Sequence, residues 1–164
     1  MPEELFNFDA ERCITAARLS VAELLRHPRV GPLLRAEKRF GGYFCVADEH
    51  GNPLLLIPIG SIADGKAEKY RTFCLEKAKR LASYRSHDLS RESRNPDREQ
   101  WGGAVKAWPY IFSFSGFPEE LDELLMFMVA VKTKTMSKEV ARDRMFYFPT
   151  KYAQGNDSDV WKMD

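Results

Sequence analysis

Gly60-Ser61-Ile62-Ala63-Asp64-Gly65-Lys66 is the stretch whose spacing implies the most chemistry. G-x-x-x-x-G-K is the pattern of a phosphate-binding loop. Its glycines let backbone N–H groups close on phosphates, and its lysine reaches the outer ones. Here the next residue is Ala67, where such a loop needs a Ser or Thr hydroxyl for magnesium. Asp64 would also set a carboxylate among the phosphates. The apolar run before it reads as half of a hairpin, whereas phosphate-binding loops belong to parallel sheets. An ordinary helix start, with Ser61 and Asp64 in the Ser-x-x-acid capping pattern, is the better reading.

The other reactive residue types give weaker patterns. His27, His50 and His87 fall in a helix end, a turn and a loop, common exposed places for histidine, and are the candidates for a haem or metal ligand. Asp122 and Glu123 are adjacent on a helix and point in different directions, so they do not form an acid/base pair by spacing. Ser115-Gly116 lacks the preceding glycine of a nucleophile elbow. Cys45, within a strand, reads as a buried apolar residue. Arg85, Arg91, Arg94 and Arg98 are interleaved with acids, which does not make a nucleic-acid surface.

Composition narrows the class. A chain of 164 residues with 44% hydrophobic and 30% charged residues suits one globular domain. The formal net charge of +1, from 25 basic and 24 acidic residues, supplies no field towards nucleic acid or anionic lipid. Apolar runs are shorter than a membrane span, and the first residues, MPEELFNFDAER, are acidic, unlike a signal peptide. Cys13, Cys45 and Cys74 are odd in number and widely spaced, as expected of a reduced cytoplasmic protein.

These residues need elements to hold them. Asn7 or Asp9 caps a first helix with Ile14, Ala17, Val21, Leu24 and Leu25 on one face, ended by His27-Pro28. Gly31 to Leu34 adds a helical turn. Tyr43–Ala47 and Leu54–Ile59 predict a hairpin around Asp48–Asn52. A second helix is expected from about Ile62 to Tyr84, its Ala67, Tyr70, Cys74, Ala78 and Leu81 inward. Its Lys69, Arg71, Lys77, Lys79 and Arg80 read as a solvated face. Ser83 to Gln100 has almost no apolar residue and reads as a long loop. Strands at Ala104–Ala107 and Tyr110–Ser115 follow, the latter alternating phenyl groups with hydroxyls. Pro118 opens a third long helix around Leu121, Leu124, Leu125, Met128 and Val131. A short helix over 137–146 and an aromatic tail with Phe146, Tyr147, Phe148, Tyr152 and Trp161 end the chain.

Gly41-Gly42-Tyr43 to Asp48, then Gly51-Asn52, resembles the first hairpin of the GlcG/HbpS-like family, and Lys66-Ala67 sits where that family begins its central helix. Gly102-Gly103-Ala104-Val105, then Phe112 to Gly116 and Asp122-Glu123, is similar to its second signature. The resemblance runs from about Asp9 to Ala130 in element order. It implies an α/β chain of the α+β type: a single profilin-like domain with an antiparallel sheet of about five strands and helices on both faces. The expected division is a domain over 1–135 and an aromatic-rich extension over 136–164, packing on the domain or on a partner.

The function so implied is a small-ligand-binding homo-oligomer rather than an enzyme, its ligand a tetrapyrrole such as haem or an organic acid. Its site would lie near Gly102 and Gly103 and the Ser113/Ser115 face, with Lys66 or Arg71 as the anion's partner. The alternative expectation is a protein-interaction module that uses the aromatic extension.

Overall fold

A computed structural model describes residues 7–145, and the aromatic tail beyond Met145 lies outside the described residues. The order is α1 (Ala10–Arg26), α2 (Val30–Ala36), β1 (Phe40–Ala47), β2 (Pro53–Ser61), α3 (Ala67–Ser83), β3 (Ala104–Ala107), β4 (Tyr110–Ser115), α4 (Glu119–Lys132) and α5 (Lys138–Arg144). Two 3₁₀ turns, Ser90–Ser93 and Pro96–Arg98, lie between α3 and β3.

The sheet is antiparallel and has four strands in the order β2-β1-β4-β3, one fewer than expected. Alternation assigns its faces. Phe44, Val46, Phe112 and Phe114 point into a core shared with α1, α2 and α4, while Cys45, Ala47 and Ile111 point into a smaller one shared with α3. Helices therefore cover both faces. Fully buried Phe44, Phe112, Phe114 and Phe127 contribute about 1.5–3 kcal/mol each to this packing. Met136, Ala141 and Met145 join the larger core, so α5 packs on the domain.

Both sheet edges are managed. β3 is continued by backbone contacts to Asp88 and Leu89, Lys106 N donating to Asp88 O at 2.9 Å. β2 is the open edge, carrying Pro53 at its start, Pro58 within it and a bulge opposite Val46/Ala47.

Several boundaries differ from expectation, each for a local reason. Asp9 is the cap of α1, its carboxylate accepting from Arg12 N at 3.0 Å. The buried stripe of α1 is Cys13, Ala16, Ala17, Ser20, Val21 and Leu24, shifted away from Ile14 and Leu25. β2 runs through Ser61, so that serine is in the ladder and caps nothing. The helix waits until Ala67, after Gly65 turns the chain at φ +80. The segment after α3 is also more structured than its composition implies, because it is pinned from outside. Arg80 donates to the carbonyls of Ser90 and Trp101, and Glu119 and Glu123 on α4 pair with Arg94 and Arg91.

Candidate functional site

The central helix positions the site. Lys77 lies three residues after Cys74 and four before Leu81, so it shares their inward face and is buried rather than solvated. Its Nζ donates to Phe114 O at 2.7 Å and to Asp122 Oδ2 at 3.0 Å. Asp122 comes from the first turn of α4, and its Oδ1 accepts from Phe117 N at 2.8 Å. Only 2% of the Lys77 side chain and 3% of the Asp122 side chain are exposed. Burial pushes the Asp122 carboxyl up to about 6, against the opposing pull of Lys77, the Phe117 amide and Arg39.

Gly103 makes room for this pair. Its φ is +122, and a Cβ there would stand 2.7 Å from Lys77 Nζ and 2.8 Å from Asp122 Cβ. Gly102 N donates to Glu119 Oε1 at 3.3 Å, so the Gly-Gly start of β3 is tied to α4.

Above the pair opens a cleft of about 540 Å³, within the range of small-molecule sites. Its floor includes Ser115, Gly116 and Phe117 with Lys77 and Asp122. Lys66, just before α3, and Lys69, Tyr70 and Phe73 within it line the cleft, as do Glu99 and Trp101 from the loop. Arg39 closes an end, its Nη1 donating to Gly116 O at 3.2 Å.

Of the residues expected to bind a ligand, Lys66 and Ser115 line this cleft, and Gly103 borders the pair beneath it. Ser113 lies under α3, its Oγ donating to Cys74 O at 2.8 Å while Cys74 Sγ donates to Ser113 O at 3.4 Å. Arg71 is exposed and outside the cleft lining. Sequence reasoning missed Lys77, Asp122, Arg39, Lys69 and Trp101. For Lys77 a signal existed, since its spacing belonged to the apolar stripe.

The histidines do not gather. His27 is buried, 6% exposed, not at the surface as expected. Its Nδ1 accepts from Arg29 N at 3.1 Å and Val30 N at 3.3 Å, so it joins α1 to α2. His87 stacks on Tyr84 with ring centroids 4.5 Å apart. His50 is exposed and lines a second cleft, of about 780 Å³, beside Trp108, Lys106 and Arg144. With no histidine lining the first cleft, an imidazole-ligated haem does not fit there. No cluster of metal-ligating side chains occurs among the described residues, and no described helix is long and apolar enough to cross a membrane. The Gly60–Lys66 string leaves an antiparallel strand, which is not the setting of a phosphate-binding loop.

No family model and no curated protein match the sequence. Among solved structures, the chain is similar to the ORFY protein of Klebsiella pneumoniae, of the DUF336 family. Identity is 18% over 76% of this chain and 91% of that one, with a TM-score of 0.48.

Proposed function

We propose that this domain binds a small organic acid in the cleft over Lys77 and Asp122. The observation that carries this reading is the cleft itself: a space of about 540 Å³ with a buried ion pair as floor and Lys66, Lys69 and Arg39 at its sides. An ammonium has three N–H donors, and two of those on Lys77 serve Phe114 and Asp122. A carboxylate entering the cleft meets the rim cations above this pair, while Tyr70, Phe73 and Trp101 offer its apolar part contact. Binding rather than catalysis suits a lysine and an aspartate that already satisfy each other. The homo-oligomer and the cytoplasmic location belong to the same proposal. Three buried, unpaired thiols support the second.

The test is calorimetric titration of the full chain with hexanoate and 3-phenylpropanoate at low salt. Saturable binding that is weakened at least tenfold in Lys66→Glu/Lys69→Glu supports the reading. Heats that never saturate, or that ignore both lysines, overturn it.

A further inference from the structure

Most of the charges around the cleft fall into two sets by the elements that carry them, with Glu37 an acid on the basic side that is paired with Arg39. Lys38, Arg39, Lys66 and Lys69 enter from the α2–β1 link and from α3, while Glu99, Glu119 and Glu120 enter from the loop and the first turn of α4. Some are already spent on one another or on neighbours: Arg39 Nε lies 3.3 Å from Glu37, and Glu119 holds Arg94. Lys69 rests over the Phe73 ring at 5.7 Å. Lys38 and Lys66 on one side, and Glu99 and Glu120 on the other, make no direct ion pair among the described residues. Tyr70, Phe73 and Trp101 line the same cleft.

A simple anion engages only part of such a space. It gains from Lys66 and Lys69 and is repelled by Glu99 and Glu120, over a buried pair that is neutral as a unit. A molecule with both a carboxylate and an ammonium, joined by an apolar body, satisfies both groups and buries its middle against the rings. Resting on the ligand reading above, we infer that the natural ligand is a zwitterion of the amino-acid or ω-amino-acid class. Its carboxylate faces Lys66 and Lys69, and its ammonium faces Glu99 and Glu120.

The experiment compares matched probes on the full chain by calorimetry at neutral pH and low salt. One series is L-phenylalanine, 3-phenylpropanoate and 2-phenylethylamine; the other is 6-aminohexanoate, hexanoate and hexylamine. In at least one series the zwitterion is expected to bind at least tenfold more tightly than its acid or amine counterpart. Glu99→Gln/Glu120→Gln should remove that advantage and leave the affinity for the plain acid equal or improved, whereas Lys66→Gln/Lys69→Gln should weaken both. The four side chains lie at the rim, and thermal melts of the variants check that the fold is kept. If the plain acids bind as tightly as the zwitterions, or if the glutamate variant loses nothing, this inference fails while acid binding stands. If no probe of either series saturates, both readings fail.

Discussion

Lys77 Nζ stands 3.0 Å from Asp122 Oδ2, joining the middle of α3 to the first turn of α4 across the end of β4. Removing one member of so buried a pair leaves the other charge without a partner, at a cost of about 3–5 kcal/mol. Lys77→Met and Asp122→Leu are each expected to lose that much in guanidinium denaturation. The double variant should lose markedly less than the sum, because apolar groups of similar size replace both charges. Strict additivity would mean that the contact contributes no coupling.

Gly103 and Gly65 both have positive φ, yet their surroundings differ. An added Cβ at Gly65 meets nothing within 4 Å, whereas at Gly103 it meets Lys77, Asp122 and the Phe114 carbonyl at 3.0 Å or less. Gly65→Ala should therefore cost only the backbone term, about 1 kcal/mol. Gly103→Ala should cost at least about 2–3 kcal/mol and disturb the cleft floor as well. Equal shifts of the melting temperature would contradict this account.

Burial raises the Glu123 carboxyl from 4.5 to about 7, and the guanidinium of Arg91, 3.4 Å away, opposes it only in part. The folded chain holds this proton more tightly than the unfolded chain does. The group's stabilising contribution is thus complete below about pH 4.5 and is lost as pH rises through 7. Asp122 acts in the same direction, from 3.8 towards about 6. For Glu123 the loss is on the order of 3 kcal/mol. Glu123→Gln is expected to flatten the fall in stability between pH 4.5 and 8 and to be the more stable form at the upper end. Denaturation midpoints across that range provide the check, and parallel curves for the two proteins would rule the assignment out.

Arg80 is buried on α3 and donates to the carbonyls of Ser90 and Trp101, with Glu76 as its ion partner at 3.0 Å. It holds the connection from Tyr84 to Gln100 against the domain. Arg80→Leu should expose that connection to limited proteolysis and speed its amide exchange by at least tenfold, while Arg71→Leu, on the exposed side of the same helix, should do neither. Cleavage appearing elsewhere first would show that another contact holds the loop.

The strands were legible because alternation is a local signal: Phe112, Ser113, Phe114 and Ser115 show it within four residues, and the observed strand is Tyr110–Ser115. The start of α3 was not, because Ser61 and Asp64 imitate a cap while the ladder to β1 continues through Ser61. The ionic anchors of the long connection were also hidden. Glu119 and Glu123 lie more than twenty residues beyond the arginines they hold, and nothing local marks them as partners. The site was half legible for the same reason. Lys66 and Ser115 stand out beside glycines and strand ends, whereas the Lys77–Asp122 pair exists only once α3 and α4 meet.

The open edge of the sheet has a consequence for how copies of this chain can meet. Pro58 keeps its place opposite Tyr43 in the ladder, so its missing N–H faces outward; Pro53 and the bulge interrupt the same edge at its start. Lengthening the sheet by adding a neighbour's strand is therefore obstructed at the start of β2 and again within it. Among the described residues, then, an assembly across this edge would rest on side-chain surfaces, which can close on themselves, rather than on a backbone template that propagates without limit.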